Sequence, residues 1–530
     1  MPPEPTSAGL APAEAGEALL AARAAGDHAR TADILDRAGV DLAHTEYGAE
    51  VYAAATELPL ELAADRPGLA WRFEDLGRLP VGTVPVRLPR TAQEATDEFL
   101  RNGDLRLRQA LLPLNTRRRL GRWEEAMEIV QQAVPLAGAS VYPLYGDRSG
   151  VLPYWYLQSG ITAFRAGDLG TARRFLLDAW TYRDRDEYGH TARAIANQVA
   201  LLDAFTGNRT ASAQWRQRGE QEERRPQLWM DWFGMALEAG TAAIHATDGL
   251  DDDAGERLQE ACHPSQRHGQ WAVFLWLHVR QALTHGDTPR ARRYLRDALE
   301  SRGPEETGTG LAGPLVPLVR SEIHLASGQA NHALAELEGV ADVAGLTQVH
   351  RARTLLLAER VPEALDVVAA MATDPSTSKR ARTEALLVAA AGHLATGDRP
   401  VAVAALQRAV AQVVEHQVPR ALATVPRAAL DDLLADVPAL GPLLALLDER
   451  GVGDVYPPSV QIVTVTDRER ELLRDLGTDR TLAEIAESTY VSVNTVRTHL
   501  ANLRRKLDAR SRDEVLVKAR LLGLLEGEAG

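Results

Sequence analysis

Apolar positions recur with a helical period along the first 450 residues, and no stretch alternates with period two long enough to predict a sheet. One register repeats within this pattern. A Gly ends a helix, a small residue follows five positions later, a large apolar residue four after that, and a small residue three further on. The five clean copies are Gly121-Ala126-Val130-Ala133, Gly167-Ala172-Leu176-Ala179, Gly249-Ala254-Leu258-Ala261, Gly286-Ala291-Leu295-Ala298 and Gly397-Ala402-Leu406-Ala409.

This register predicts helix pairs. Gly allows the positive φ that a turn between antiparallel helices needs, small residues let the second helix approach closely, and the large apolar residue fills the groove between them. Weaker copies begin at Gly26, Gly207 and Gly328, and Glu359 opens one that lacks its Gly. From Gly121 onward the copies begin 31 to 46 residues apart. A period near 40 predicts stacked helix pairs, whereas an alanine-rich helical array without repeats predicts no fixed register.

These repeats resemble tetratricopeptide repeats of longer period. We therefore expect an all-α fold, with a TPR-like α-solenoid over residues 1–450 acting as a sensor or interaction domain. Residues 451–464 contain two Gly and two Pro, which is typical of a linker. Residues 465–530 then form a second domain.

The last 65 or so residues contain three candidate capping boxes, each followed by an apolar run. They are Thr466 with Glu469, Thr481 with Glu484, and Ser511 with Glu514. In such a box the two side chains satisfy backbone amides at the start of a helix. The pattern predicts short helices with sharp beginnings.

Another helix is expected between the second and the last of these, with Ser492 as its N-cap. Val496, Leu500, Leu503 and Leu507 are spaced 4, 3 and 4 residues apart and share one narrow face, which should face the core. A short turn over 488–491 precedes this helix. The arrangement is that of a helix-turn-helix whose third helix is presented to the major groove of double-stranded DNA. The candidate DNA-binding residues are Ser492, Asn494, Thr495, Arg497, Thr498, Ala501, Asn502, Arg504, Arg505 and Lys506.

Charge supports a nucleic-acid interface in this region alone. The whole chain has a formal net charge of −14, yet residues 490–520 contain eight basic and three acidic side chains, a local excess of +5. A local excess of positive charge is the electrostatic signature of phosphate binding. A merely solvated basic face would not also show the helix-turn-helix pattern.

The C-terminal segment resembles the LuxR-type DNA-binding domain. The resemblance rests on the segments 466–471, 484–486, 491–500 and 505–507, and on the closing Ser511-Arg512 and 522–524. It implies a four-helix domain that binds DNA as a homodimer, partly through its last helix. It also implies base contacts from Arg497, Thr498 and Ala501, and phosphate contacts around Arg505 and Lys506.

Two residues depart from the LuxR-type pattern. Thr489 stands where the family usually has Leu, which should loosen the core packing slightly. Asp508 stands where a Gly usually closes the helix, and Asp tolerates the left-handed backbone less well than Gly. Neither departure removes an expected DNA contact. His499 lies beside the apolar stripe and is expected to be structural or to face phosphate.

The opening stretch, residues 21–67, resembles the helical array that follows the ATPase module in large ATP-binding LuxR-type regulators. A phosphate-binding Walker loop needs a Gly-Lys pair followed by Ser or Thr. The three lysines, Lys379, Lys506 and Lys518, all follow other residues. We therefore expect this chain to lack the ATPase module and to need no cofactor.

No enzyme site is expected. The single cysteine, Cys262, excludes a disulfide within the chain and argues against a cysteine-based zinc site. The adjacent Cys262-His263 pair is interpreted as structural, and no nucleophile motif or metal-ligand spacing is found. The N-terminus has no signal-peptide pattern and no apolar run is long enough to span a membrane, so a cytoplasmic protein is expected.

The nine tryptophans all lie between Trp71 and Trp276. Aromatic rings on the concave face of a superhelix would offer a large contact area to a ligand. The candidates for such a surface are Trp155, Trp180, Trp215, Trp229, Trp232, Trp271 and Trp276. The alternative, packing between helices, is favoured for most of them.

These patterns predict a transcription regulator, expected to be an activator that contacts RNA polymerase, whose helical array receives a small-molecule or protein effector. The rival hypothesis is a scaffold: the array binds a protein partner and the DNA-binding domain only localises it. A small-molecule sensor predicts a closed, aromatic-lined pocket. A scaffold predicts an open, charged groove.

Overall fold

Helices account for the regular structure throughout the described part of the chain. The computed structural model describes residues 12–43, 45–83, 88–89, 91–102, 105–139, 151–186, 191–222, 229–251, 269–463, 465–478, 480–522 and 524–525. No strand occurs in these ranges. The all-α prediction is confirmed.

The first half of the chain contains helices α1 to α12. They are α1 Pro12–Ala24, α2 His28–Leu42, α3 Gly48–Glu57, α4 Pro67–Asp75, α5 Ala92–Asn102, α6 Leu105–Arg119, α7 Trp123–Ala139, α8 Leu152–Ala166, α9 Leu169–Thr181, α10 Thr191–Phe205, α11 Arg209–Gln221 and α12 Trp229–Gly249.

The second half contains helices α13 to α27. They are α13 Trp271–Thr284, α14 Thr288–Glu300, α15 Pro304–Gly308, α16 Ala312–Ala326, α17 Ala330–Glu336, α18 Leu346–Leu357, α19 Val361–Thr373, α20 Lys379–Ala395, α21 Arg399–His416, α22 Arg427–Leu433, α23 Gly441–Glu449, α24 Asp467–Leu476, α25 Leu482–Ser488, α26 Val493–Lys506 and α27 Arg512–Leu521. A 3₁₀ helix over Pro419–Thr424 follows α21.

Contacts divide the chain into two compact units. The first unit comprises residues 1–204, 210–241 and 303–312, and the second comprises 205–209, 242–302 and 313–530. Among its described residues, the first unit has one apolar cluster built from α1 to α4 and another mainly from α6 to α10. The four C-terminal helices α24 to α27 enclose a cluster of their own within the second unit.

The pair α8 and α9 shows how the repeated register folds. Gly167 ends α8 with φ +93°, a conformation that side-chain-bearing residues rarely adopt. Asp168 then caps α9 by accepting a hydrogen bond from the amide of Thr171. Ala172, Leu176 and Ala179 are all fully buried in this pair. The side chain of Leu176 lies so close to Gly160 of α8 that a Cβ at Gly160 would clash with it.

Other copies of the register fold in the same way, with two differences. The turn glycines at 26, 121, 207, 286, 328 and 397 all have positive φ, and Glu359, which lacks its Gly, adopts φ +60°. Gly249 was expected to make such a turn, but it is the last residue of α12 and the positive φ falls on Leu250. The rest of that copy, Ala254, Leu258 and Ala261, lies outside the described residues.

The second difference concerns the copy that begins at Gly286. We expected Leu295 to fill the groove between the helices, but Leu295 is only half-buried and its neighbour Tyr294 is buried instead. The ring of Tyr294 lies 4.6 Å from that of His278 on α13. A tyrosine reaches further than a leucine, so a shift of one residue still fills the groove.

Candidate DNA-binding interface

Two capping boxes start the first two helices of the C-terminal domain. The hydroxyl of Thr466 accepts from the amide of Glu469 at 3.3 Å, and the Glu469 carboxylate accepts from the amide of Thr466 at 2.8 Å. Thr481 and Glu484 repeat this arrangement at 3.3 and 2.7 Å. Each box satisfies two amides at the start of a helix, as the sequence predicts.

The third predicted box is only half formed. The Ser511 hydroxyl accepts from the amide of Glu514 at 3.0 Å. The Glu514 carboxylate accepts from the amide of Arg510 at 2.8 Å, one residue before the N-cap, rather than from the amide of Ser511. Ser511 therefore caps α27 alone, and Glu514 instead fixes the turn that leads into the helix.

The helix α26 has one buried face and one exposed face, because its apolar residues repeat at helical spacing. Val496, Leu500 and Leu503 are buried in the domain core, and Leu507, which caps the helix, is buried with them. The Ser492 hydroxyl caps the N-terminus by accepting from the amide of Thr495 at 3.0 Å.

The predicted DNA-binding residues lie away from the buried stripe. Six of them are exposed: Ser492, Asn494, Arg497, Thr498, Ala501 and Arg505. The remaining four are half-buried: Thr495, Asn502, Arg504 and Lys506. The exposed set presents two guanidinium groups, an amide and a small residue on one helix. This combination suits contacts with base edges near the start of the helix and phosphate near its end.

Three hydroxyl groups on this surface already have partners. The Thr495 and Ser492 hydroxyls hydrogen-bond to each other at 2.8 Å, and the Thr498 hydroxyl donates to the carbonyl of Asn494 at 3.0 Å. Thr495 therefore helps to cap the helix. The Thr498 hydroxyl can still accept a hydrogen bond, and its methyl group is free for an apolar contact.

The domain with this geometry matches known regulators. Residues 463–519 match the family of bacterial regulatory proteins, luxR family. The segment is 39% identical over 62 residues to the spore germination protein GerE of Bacillus subtilis (strain 168), which is 12% of this chain and 84% of that protein. It is 32% identical over 68 residues to the transcriptional regulatory protein LnrK of the same organism, which is 13% of this chain and 30% of that protein.

The chain belongs to the LuxR family. Its similarity to these relatives is confined to the C-terminal domain, and it spans about a third of LnrK. The LuxR-type domain makes the chain a DNA-binding transcription regulator. No helix in the described part of the chain is long and apolar enough to cross a membrane.

The two departures from the LuxR-type pattern are accommodated locally. Thr489 ends α25 and its hydroxyl donates to the carbonyl of Ile485 at 2.7 Å, which satisfies its polar group where Leu would pack. Asp508 adopts φ +50°, the left-handed conformation expected at this position. Sequence reasoning missed Tyr490, which also has a positive φ, +55°, and is 96% exposed in the turn before α26.

Lys506 has a structural partner that the sequence does not suggest. Its ammonium donates to the Glu469 carboxylate at 2.6 Å and so joins the end of α26 to the first turn of α24. Burial alone would raise the pKa of Glu469, but hydrogen bonds from Lys506 and Thr466 outweigh it and lower that pKa. This ion pair engages a side chain that we expected to contact phosphate, and leaves Arg505 as the freely exposed cation beside it.

Arg512, which matches the LuxR-type pattern, also has a structural role. Its guanidinium donates to the carbonyls of Leu476, Thr478 and Arg480 at 2.8 to 2.9 Å. These carbonyls lie at and just after the end of α24, where helical partners are absent. Arg512 thereby ties the last helix to the loop before α25.

The tryptophans proposed as a ligand surface are mostly covered. Trp155, Trp215, Trp271 and Trp276 are buried, which fits packing between helices, and Trp180 is half-buried. Trp180 packs edge-on against Trp215 at 5.1 Å, and Trp276 packs edge-on against Phe205 at the same distance. The side-chain surroundings of Trp229 and Trp232 lie outside the described residues.

Proposed function

We propose that this LuxR-family regulator binds operator DNA as a homodimer through α26 and that its helical array receives the regulating signal. The domain limits proposed are 1–450 for a TPR-like array, 451–464 for the connection and 465–530 for the DNA-binding domain. The observation that supports this most is the amphipathic α26, with an apolar stripe facing the core and Arg497, Thr498 and Arg505 exposed on the other side.

The exposed residues suggest a division of tasks along α26. Arg497 and Thr498 lie in the second turn of the helix, where side chains reach base edges when a recognition helix enters the major groove. Arg505 lies two turns further on, where a helix leaves the bases and meets the sugar-phosphate backbone. Arg497 therefore contributes to sequence specificity and Arg505 to general affinity.

The last helix supplies a surface for dimerisation. Val517 and Leu521 are spaced four residues apart on α27 and are 53% and 65% exposed, while Val515 and Ala519 of the same helix are buried in the core. Exposed apolar side chains at helical spacing favour contact with a second copy. A dimer would place two recognition helices on two half-sites, as other helix-turn-helix proteins do.

The signal received by the array is proposed to be a small molecule or a protein, and the output to be activation of transcription through RNA polymerase. The rival proposal, a scaffold localised by its DNA-binding domain, predicts DNA binding without a change in transcription. A reporter gene fused to a bound promoter separates the two, because deletion of the regulator's gene lowers its expression only in the first case.

The most direct test of DNA binding is to map the sites that the full chain occupies across its genome. The proposal expects a shared inverted sequence with two half-sites. Occupancy that does not depend on sequence would contradict operator binding.

A further inference from the structure

A group of buried ion pairs forms the centre of the second unit. The Glu384 carboxylate on α20 accepts from Arg280 at 3.0 Å and from Arg353 at 2.5 Å. Arg280 also approaches Glu322 at 3.6 Å, and all four side chains are at most 5% exposed. Removing one member of such a buried pair is costly, because it leaves a charge buried without its partner.

Tyr456 covers one side of this group. It belongs to residues 452–463, which contain no helix, and is 5% exposed. The Arg353 guanidinium carbon lies 5.4 Å from the centre of its ring, and the His350 ring lies 5.7 Å away. Burial raises the pKa of the Tyr456 phenol, so the ring is uncharged at neutral pH. A cation over an aromatic face in a dry environment is an attractive contact.

The backbone of the same segment is hydrogen-bonded to the array at separate points. The amide of Val455 donates to the carbonyl of Ala423, and the amide of Val460 donates to the carbonyl of Leu357, both at 2.8 Å. Asp454 accepts from the amide of Arg427 at 3.0 Å. Residues 452–463, named the strap here, therefore follow the array surface instead of spanning solvent as a linker would.

The last contact of the strap lies directly before the DNA-binding domain. The Asn331 side chain on α17 donates to the carbonyl of Val463 and accepts from its amide, both at 3.2 Å. The side chain of Val463 packs against the core of the DNA-binding domain, and Val465 is buried in it. Only two residues lie between Val463 and Thr466, the N-cap of α24, so the chain between them has little slack.

Docking of the strap leaves the DNA-binding face uncovered. Arg497, Thr498 and Arg505 are exposed in the same structure in which the strap contacts Asn331 and Arg353. The strap therefore does not mask the recognition helix. Its effect is to limit the orientations that the domain can adopt, which lowers the entropy lost when two domains bind two half-sites.

We propose that residues 452–463 are a docked strap that positions the DNA-binding domain on the array, with Asn331 and Tyr456 as its positioning residues. Asn331 fixes the end of the strap next to the domain. Tyr456 fixes its middle against the buried ion pairs, so a change in their packing reaches the domain through the strap. The role in DNA binding rests on the proposed function, but the docking itself does not.

The rotational freedom of the domain tests this proposal without DNA. In the full chain, Cys262→Ser removes the only cysteine and Glu487→Cys places one label on the exposed side of α25. Time-resolved fluorescence anisotropy of the label should show only the slow tumbling of the whole chain. Asn331→Ala and Tyr456→Ala should each add a fast component from the released domain. A fast component before any substitution, or none in both variants, would overturn the proposal.

Two matched variants control for general destabilisation. Tyr294→Ala removes another buried tyrosine of the same unit, which contacts an arginine and a histidine. Asn208→Ala removes another asparagine of that unit, whose side chain accepts a hydrogen bond from Lys379. Neither control should add a fast component to the anisotropy decay. Hydrogen exchange should become roughly ten-fold faster at 460–463 in Asn331→Ala, because two neutral hydrogen bonds are lost, while 466–521 stays protected. Faster exchange of the whole domain would mean that Asn331 stabilises its fold instead of positioning it.

DNA binding provides a second test of the proposal. Two inverted copies of the half-site selected in vitro by the unsubstituted chain are placed at different spacings. The unsubstituted chain should prefer one spacing, and Asn331→Ala should flatten that preference while a single half-site binds equally well. A spacing preference that persists in Asn331→Ala, although the domain of that variant rotates freely, would refute the positioning role. Failure of the unsubstituted chain to select any sequence would refute the proposed function, and the anisotropy result would still stand.

Discussion

Lys506 at the end of the recognition helix donates to the Glu469 carboxylate at 2.6 Å, and Glu469 is at the same time the capping residue of the first helix of the domain. The carboxylate is almost completely buried, whereas Lys506 is 28% exposed. One buried carboxylate thus closes a capping box and fixes α26 against α24. The basic residue next to it, Arg505, is exposed and has no such constraint within the described structure.

The first prediction follows from this ion pair. Lys506→Met should lower the free energy of unfolding of the domain by about 1–3 kcal/mol, because it leaves Glu469 buried without its cation. Arg505→Met, the matched control, should change it by less than about 0.5 kcal/mol. Thermal melts of residues 460–530 measure both. Equal melting temperatures for the two variants would show that the pair adds nothing to stability.

The same carboxylate predicts a dependence on pH. Its pKa is lowered in the folded domain, so its contribution to stability is present above the unfolded value of about 4.3 and is lost as the pH falls through the lower folded value. Glu469→Gln should therefore be less stable than the unsubstituted domain at neutral pH. The difference should shrink below about pH 4, and a constant difference down to pH 2 would contradict this assignment.

Substitutions at two left-handed turn residues of the array should change its stability in opposite directions. Glu359 is exposed with φ +60°, a conformation that costs a side-chain-bearing residue about 1–2 kcal/mol, so Glu359→Gly should stabilise the second unit by about 0.5–1 kcal/mol after the entropy of Gly is subtracted. Gly167→Ala, at φ +93°, should destabilise the first unit. Chemical denaturation of the full chain monitors both changes. A destabilised Glu359→Gly variant would mean that the side chain makes a contact that outweighs its backbone strain.

Dimerisation through the last helix gives a further prediction. Leu521→Asp should shift the full chain from dimer to monomer in sedimentation experiments, because it places a charge in the proposed apolar contact. Val414→Asp, at an exposed apolar residue of α21, is the matched control and should leave the dimer intact. A chain that stays dimeric with Leu521→Asp would place the contact elsewhere.

The sequence predicts those parts of the structure that depend on neighbours a few residues apart. The capping pairs at Thr466 and Thr481 and the apolar stripe of α26 follow from spacings of three and four, and the structure confirms them. Ser511 and Glu514 have the same spacing, but there the carboxylate reaches the amide of Arg510 instead. A pattern fixes which groups are near one another, and the local backbone decides between adjacent amides.

Contacts between distant residues could not be predicted in this way. Lys506 and Glu469 are 37 residues apart, and Asn331 and Val463 are 132 apart. Gly and Pro in 451–464 indicate a break in the helices, and no helix occurs over 452–463. They say nothing of the buried surface that Val452, Val455 and Tyr456 find on the array, because that surface exists only after the array has folded. Which tryptophans are buried could not be predicted for the same reason, since burial depends on the neighbouring helices.

The domain is also expected to act alone. Residues 460–530 should fold and bind DNA non-specifically, with an affinity that falls steeply with salt, because each neutralised phosphate contributes a slope of about −0.9 in a plot of log affinity against log salt concentration. Titrations at several salt concentrations measure that slope. A salt-independent interaction, or none at low salt, would count against the DNA-binding assignment.

The central claim, that α26 enters the major groove with Arg497 towards the bases and Arg505 towards phosphate, is tested most directly by comparing Arg497→Ala with Arg505→Ala on two DNAs. Binding is measured by fluorescence anisotropy on the selected operator and on random duplex, after thermal melts show that both variants fold. Arg497→Ala should cost about 1–3 kcal/mol on the operator and less on random DNA. Arg505→Ala should weaken both by a similar factor and reduce the salt slope by about 1. The same loss on both DNAs for both variants would contradict this placement of the helix.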